Sequence, residues 1–265
     1  MIPVPRSIAR IPILRGLYRV ALDGYARLSH GRYMVEERMG LRLLLDLDNV
    51  VDHQIFVSGA WEKEIVDTLL GLAREEHQRH GGEAVFVDIG AHWGLYALLA
   101  RQTGMFERIV AFEPDPANYG QLQANLFLNG ATTVIEALQL AASDRERTFG
   151  LSLNTSRNRG GTRVVEAAEP SHATCRAVRV DRQLDVAGKL LVIKMDVEGH
   201  EMEAIEGLVG LLAKNRCVIQ VEIWSTPEEE MPRRRALLEA LFARHDIKFV
   251  RAIITDHFFV SQPRA

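Results

Sequence analysis

Apolar residues fall along the chain in two patterns. Short continuous runs at 85–89, 108–112, 133–137, 190–195 and 218–223 predict strands buried on both faces. Longer stretches at 62–80, 93–101, 117–129, 202–212 and 228–243 predict helices between them. Over 62–80 the apolar face is Ile65, Leu69, Leu72 and Ala73; over 117–129, Leu122, Leu126 and Phe127 are expected to point inward. Gly81-Gly82 and Asn129-Gly130 end two of these helices, and Pro116 suits the first turn of one. This alternation of strand and helix defines an α/β fold with a doubly wound sheet.

The flanking segments break the alternation. Residues 42–48 predict a strand and 54–57 a second one. Residues 248–254 and 257–260 flank Thr255-Asp256 and predict a terminal hairpin. The third strand is expected to extend to Ala141-Ala142. Residues 143–188 hold polar turns between β-like pieces at 162–165 and 176–180, which predicts an antiparallel excursion, part of it a loop over the site. The chain thus reads as an N-terminal extension, 1–60, of helix and short strands, and one domain, 61–265.

Residues 13–28 have a helical pattern with Arg15, Arg19 and Arg27 on a basic side, preceded by Arg6 and Arg10. Such a helix suits peripheral contact with an anionic membrane or the docking of a partner. The plainer expectation, a cover for part of the core or a homodimer interface, is preferred. No continuous apolar segment of the leader type precedes it, so a cleaved signal is not expected.

Composition narrows the field. The 265 residues are 47% hydrophobic and 25% charged, enough for one large core. A net charge of −3 gives no electrostatic case for nucleic acid as a partner. Cys175 and Cys217 form neither a zinc spacing nor a disulfide framework, so a reducing, cytoplasmic location is expected. No apolar run reaches bilayer length.

The chemistry concentrates where the first core strand turns into a helix, at Asp88-Ile-Gly90-Ala91-His92-Trp93-Gly94. A dinucleotide turn needs G-x-G-x-x-G so that a pyrophosphate can press on a helix N-terminus. Here His92 and Leu95 stand where its second and third glycines belong. Asp88 adds negative charge where phosphate would sit. It suits instead a ligand with a cationic or amino group, as in S-adenosylmethionine (SAM), which has an ammonium and a sulfonium. Glu113, ending the second strand, can accept hydrogen bonds from both hydroxyls of a ribose, of SAM or NAD alike.

Three stretches together resemble a family. They are Val87-Asp88-Ile89-Gly90-Ala91-His92-Trp93-Gly94, Ala111-Phe112-Glu113-Pro114, and Ile193-Lys194-Met195-Asp196-Val197-Glu198-Gly199-His200-Glu201. They look like the FkbM-type SAM-dependent methyltransferases, over about 61–259; His92 departs from the asparagine often found there. The resemblance implies a Rossmann-like seven-stranded sheet of order 3-2-1-4-5-7-6 with strand 7 antiparallel, and methyl transfer to a hydroxyl of a sugar, glycan or natural product. It implies that Asp88, Gly90, Ala91 and Gly94 hold the methionine end of SAM, that Glu113 and Pro114 meet the ribose, and that Ala142 and Ser143 lie near the adenine.

The third stretch ends the fourth strand beside the expected switch point. An alcohol attacking a sulfonium methyl needs close, collinear placement and a base for its proton. Asp196 is the first choice for that base and also borders the cofactor; His200 is the second, by its intrinsic pKa, and Glu222 completes the catalytic set. Glu201 reads as a helix-dipole partner, while Glu198 is open between structure and function. No metal is assigned, although Asp196, Glu198, His200 and Glu222 have a permissive spacing for a hard cation. Trp224 can wall an acceptor pocket or sit in the core. An NAD-linked oxidoreductase and a non-catalytic SAM-binding scaffold are the alternatives. The missing pyrophosphate turn counts against the first, and the retained Asp196 and Glu222 against the second.

Overall fold

The computed structural model describes residues 24, 31–152, 159–165, 173–223 and 230–262. The helix expected over 13–28, apart from Gly24, and Trp224 lie outside the described residues. The chain divides into two compact units, Met1–Glu62 with Thr155–Arg159, and Lys63–Asn154 with Gly160–Ala265.

In the first unit, β1 (Tyr33–Arg38) and β2 (Leu41–Asp46) form an antiparallel hairpin. Its two turn residues, Met39 and Gly40, both lie at positive φ, as a two-residue type I′ turn requires. The next element, α1 (Val50–Ser58), corrects the strand expected at 54–57. The Asn49 side chain caps the Val51 N–H, Ile55 and Phe56 are buried on one side together with Asp52, and Gly59 closes the helix at φ 84°. Cap and terminator outweigh the local β-propensity of Ile55, Phe56 and Val57.

The second unit runs α2 (Lys63–His80), β3 (Ala84–Ile89), α3 (Leu95–Gln102), β4 (Arg108–Phe112), α4 (Pro116–Leu128), β5 (Ile135–Leu138), β6 (Ala141–Ala142), β7 (Arg147–Ser152), β8 (Arg163–Val165) and β9 (Ala173–Val178). It continues with α5 (Val180–Gln183), β10 (Leu190–Met195), α6 (Glu201–Glu206), α7 (Val209–Leu212), β11 (Arg216–Glu222), α8 (Met231–Ala243), β12 (Ile247–Ile253) and β13 (Asp256–Ser261). Seven strands make one sheet in the order β12-β13-β11-β10-β3-β4-β5. Counted along the chain this is 3-2-1-4-5-7-6, with β13 antiparallel to both neighbours and the central pairs parallel.

Both faces of the sheet are covered. Val85, Val87, Ile89, Leu191, Ile193 and Met195 share one core with Ala204 and Ile205 of α6, Leu211 and Leu212 of α7, and Leu238 and Phe242 of α8. On the other face α3 packs on β3 and β4, and α2 on β10 and β11. The inner strands are therefore apolar throughout, as parallel strands buried on both sides must be. Lys194 and Asp88 are the exceptions that matter below.

Other expectations need correction. Ala141-Ala142 does not extend the third strand: the chain turns at Leu138–Leu140 and β6 joins a second sheet, β6-β9-β7-β8, by parallel pairing with β9. The excursion is antiparallel only in its β7 pairs. Phe127 is 77% exposed. The buried stripe of α4 is Asn118, Gln121, Leu122, Asn125 and Leu126, and Phe127 stands about 100° further round. The helix expected over 202–212 is two short ones, parted at Gly207 and Leu208. A Cβ at Gly207 would lie 2.1 Å from the Ser143 carbonyl oxygen. Among the described residues no helix is long and apolar enough to cross a membrane.

A Cβ on Gly90 (φ 76°) would lie 1.8 Å from the Asp196 carbonyl oxygen, whereas Gly104 (φ 65°) has nothing within 4 Å. Gly104→Ala should therefore cost about 1–2 kcal/mol for backbone strain alone. Gly90→Ala should cost clearly more, roughly 4 kcal/mol or above, because the strand ends must also part. Urea unfolding of the two variants checks the difference.

Candidate active site at the carboxyl ends of the central strands

Strand register builds the site. β3 lies between β10 and β4, with Ile89 opposite both Met195 and Phe112. The next residues, Gly90, Asp196 and Glu113, therefore leave the sheet side by side, at the crevice where open α/β sheets bind ligands. Met195 also faces Val221, which brings Glu222 to the same level on β11.

The glycine turn is fixed by backbone. Gly90 and Ala91 N–H both donate to the Phe112 carbonyl, at 3.0 and 2.9 Å, and the Asp196 N–H donates to the Ile89 carbonyl at 3.0 Å. At Gly94 (φ 89°) a Cβ would lie 2.4 Å from Leu122 Cδ1. His92 sits between them at φ 52°. Asparagine and histidine are the side chains, with aspartate, that this left-handed region accepts most readily, which explains how histidine serves here in place of asparagine. The His92 N–H donates to Glu113 Oε2 at 2.7 Å and the Asp115 N–H to Oε1 at 2.9 Å, so the turn and the end of β4 hold each other. Pro114 leads into Asp115, whose Oδ1 caps α4 at the Ala117 and Asn118 N–H groups.

Asp88, expected at the methionine end of SAM, lies at the buried end of β3. It has no exposed surface, and its Oδ2 accepts the Ala97 N–H at 3.1 Å. The N-cap residue of α3, Gly94, has no side chain to do this, so Asp88 caps the helix from the strand beneath. Its Oδ1 accepts no hydrogen bond and lies 3.8 Å from Lys194 Nζ.

Asp88, Lys194 and Gln220 occupy one rung across β3, β10 and β11, so their side chains leave the sheet on the same face. Lys194 Nζ donates to the Gly90 carbonyl at 2.6 Å and lies 3.7 Å from Asp196 Oδ2 and 5.3 Å from the Tyr96 ring centre. Gln220 Nε2 donates to the Tyr96 hydroxyl at 3.3 Å and to Asp256 Oδ1 at 2.7 Å. Sequence reasoning assigns no role to Lys194, Tyr96, Gln220 or Asp256. A lysine inside a strand buried on both faces is the signal that could have found them.

The acids differ in environment. Burial pushes the Glu113 carboxyl up to about 8, against the pull of its two backbone N–H donors. Burial likewise raises Asp88 to about 6, opposed by the Lys194 ammonium. Glu198 is raised to about 7 by burial and by the neighbouring Asp196, with Arg163 opposing. Glu198 also has φ 52°, and its carboxylate lies 3.9 Å from Arg163 Nη2. Asp196 is the open one: its side chain is 31% exposed against 7% for Lys194.

The remaining site residues divide. His200 Nε2 is 3.0 Å from Ser143 Oγ, its Nδ1 is 3.6 Å from Glu203, and its ring meets Phe149 edge-on at 5.4 Å. Ala142 and Ser143 are buried, with the Ser143 N–H on the Val178 carbonyl, so they join the second sheet to the 200–207 region. Glu201 accepts the Gly199 N–H at 2.7 Å and pairs with Arg234 at 3.4 Å, the structural role read from sequence. Glu222 accepts from the Thr255 hydroxyl at 3.2 Å. Thr162 Oγ1 donates to Asp115 Oδ2 at 2.9 Å, and its neighbour Arg163 reaches Glu198. Residues 162–163 are thus tied to both the β4 and the β10 side of the Gly90 turn. Among the described residues no group of three or more His, Cys, Asp or Glu side chains is placed to hold a metal.

This sheet order, with a glycine turn after the first strand and a buried acid after the second, is the arrangement expected of a SAM-dependent methyltransferase. The family model for the methyltransferase FkbM domain matches residues 88–260, and the chain belongs to that family. It is 29% identical over 187 residues to methyltransferase sdnD of Sordaria araneosa, covering 58% of this chain and 71% of that one. It is 24% identical over 171 residues to hexuronic acid methyltransferase AglP of Haloferax volcanii, covering 63% and 65%. The solved methyltransferase FkbM of Methylobacillus flagellatus KT is 22% identical with a TM-score of 0.46, covering 67% of this chain and 43% of that one.

SAM is the cofactor, and the residues fit it. Glu113 is a carboxylate held from one side by N–H donors, and Gly90 and Gly94 keep the turn free of side chains. The acids have a consequence for the free protein. A carboxyl whose pKa is raised on folding contributes stability that is complete below its unfolded value and lost as pH rises through its folded one. From an ordinary 4.5 to about 8 for Glu113, and to about 7 for Glu198, that window spans the neutral range. The ligand-free protein should melt at a lower temperature at pH 8 than at pH 6, in scans at matched ionic strength.

Proposed function

We propose that the protein transfers the methyl group of SAM to a hydroxyl of a sugar, glycan or natural product, with Asp196 as the acceptor's base. The observation carrying this reading is the contrast at the strand ends. Asp88 and Lys194 are sealed, whereas the Asp196 carboxylate beside them is open to an incoming molecule.

The bound cofactor supplies an electrophilic methyl group on a sulfonium. Glu113 accepts hydrogen bonds from the ribose hydroxyls through the lone pairs its backbone donors leave free. The turn at Gly90–Gly94 receives the methionine portion by backbone, and Asp88 acts on that portion through its field and through the helix it caps. Asp196 takes up the hydroxyl proton at Oδ1 or Oδ2. The backbone N–H of Asp196, bonded to Ile89, keeps the carboxylate's origin fixed against the cofactor turn. Such a base contributes about 10²–10⁴ in rate, and placement of the oxygen the rest. His200, bonded to Ser143, serves better as a positioning residue than as a second base, and Glu222 orders the far side through Thr255.

A sugar acceptor is supported by the name of one relative, a hexuronic acid methyltransferase. Ala142 and Ser143 border the adenine side in this reading. The acidic strand ends suit a cofactor that carries net positive charge.

The test is Asp196→Asn with radiolabelled SAM against a panel of glycosides, uronic acids and hydroxylated natural products. Methyl transfer should fall about 100-fold or more while S-adenosylhomocysteine (SAH) still binds. Wild-type turnover in the variant removes Asp196 as base. A wild-type protein that binds SAH and methylates nothing in the panel favours a binding scaffold.

A further inference from the structure

The buried ammonium of Lys194 stands where three acidic elements meet. From β3 comes Asp88, fully buried, with Oδ1 lacking any hydrogen bond. From the end of β10 come Asp196 at 3.7 Å and, further on, Glu198. From the end of β4 comes Glu113. From α3 comes the face of Tyr96, and beyond it Gln220 of β11 and Asp256 of β13. The ammonium lies closer to the Gly90 carbonyl, in the turn that a methyl donor must approach, than to Asp88 or Asp196. One cation is thereby shared between the cofactor turn and the acceptor-side acid.

We propose that Lys194 is a positioning residue for methyl transfer, whose single charge offsets the buried Asp88 carboxylate and locks the Gly90 turn to Asp196. The proposal rests on the reading of this crevice as the SAM site. Two physical points support it. A carboxyl group as buried as Asp88, with the neighbouring Asp196 raising it further, needs a counter-charge to ionise. A hydrogen bond alone would not need an ammonium, because an amide could satisfy the Gly90 carbonyl. Lys194 is the main group opposing the burial-driven rise of Asp88, and a minor one for Glu113 and Glu198. Lysine suits the place because its long stem crosses from the β10 rung to the turn and its tetrahedral head can serve several acceptors at once.

The cofactor enters this argument through its charge. SAM carries one net positive charge and binds best to ionised acids, whereas SAH is net neutral. Affinity for SAM relative to SAH, whose α-ammonium titrates alike, should therefore rise with pH as Asp88 ionises, and Lys194 should set the midpoint of that rise.

The experiment is calorimetric titration of SAM and SAH into wild-type protein, Lys194→Met, and Asp88→Asn/Lys194→Met between pH 6 and 9, with the melting temperature of each. In Lys194→Met the midpoint for SAM should move up by about 1 unit or more, the effect expected of an opposite charge at this range. Binding that is about tenfold weaker or worse at pH 7 should then recover toward pH 9. In the double variant the asparagine that replaces Asp88 can still accept the Ala97 N–H, and one buried acid is gone. The rise of SAM affinity over SAH with pH should therefore flatten, and the melting temperature should exceed that of Lys194→Met. A Lys194→Met profile with the wild-type midpoint, whether weaker overall or unchanged, overturns the proposal. So does a double variant no more stable than Lys194→Met, which also decides the matter if the single variant fails to fold. Failure of wild-type protein to bind either ligand tells against the crevice assignment itself and is visible without any variant.

Discussion

The close approach of two backbones, Gly90 to the carbonyl of Asp196, is the constraint from which the site follows. Parallel pairing of β3 with β10 and β4 brings three strand ends to one level. Only the absence of a side chain at Gly90 lets the turn after β3 cross the end of β10 at that distance. With the approach fixed, the Asp196 N–H meets Ile89, the Gly90 and Ala91 N–H groups meet Phe112, and Lys194 reaches the Gly90 carbonyl. The Gly90 turn and the end of β10 at Asp196 are therefore tied together by hydrogen bonds. Under the proposed methyl transfer, which depends on collinear placement, this junction would hold the donor turn and Asp196 in fixed register.

Burying charge to achieve this is costly. Removing an ion from water costs several kcal/mol even after relaxation. Two opposite charges about 4 Å apart recover roughly 4 kcal/mol at an effective dielectric of about 20. The Asp88–Lys194 pair at 3.8 Å is thus near break-even by itself. Hydrogen bonds to charged groups, the Ala97 N–H on Asp88 and the Gly90 carbonyl on Lys194, offset part of the cost, and burial still leaves Asp88 raised. Glu113 follows the same logic with two backbone donors. The polar rung is stable as a network and poor as isolated pairs, so its members make sense only together.

What the sequence revealed follows from what is local. Strands 108–112 and 190–195 are nearly continuous apolar runs, with Gly104, Pro114 and Gly188 close to their boundaries. Gln54–Val57 reads as a strand because β-propensity is visible in four residues, while the Asn49 cap and Gly59 terminator act from outside them. Phe127 is misplaced by its sequence because a helix face depends on about 100° per residue, and the buried stripe of α4 includes polar Asn118, Gln121 and Asn125. Asp88, Gly90, Glu113 and Asp196 are legible as strand-end residues. That Asp88 faces inward is not, since the capping deficit it fills belongs to Gly94. The Ser143–His200 pair joins residues 57 apart through the second sheet, which no local pattern encodes.

The two sides of the site are built from different material, and this bears on how such a protein evolves. The cofactor side is strand ends and backbone hydrogen bonds, where one substitution disturbs several contacts at once. The side proposed here for the acceptor is connections: residues 196–200, with Glu198 and Gly199 both at positive φ, and the 162–163 stretch fastened by Thr162 and Arg163. Connections tolerate change far better than paired strands do. Acceptor choice can then drift by altering the partners of Glu198 and Asp115 while the Gly90–Asp196 junction stays fixed. The strained backbone at Glu198 fits this division, because a residue held off its preferred conformation signals a placement enforced by its surroundings. The donor crevice is thus specified by geometry, and acceptor identity by the side chains hung around it.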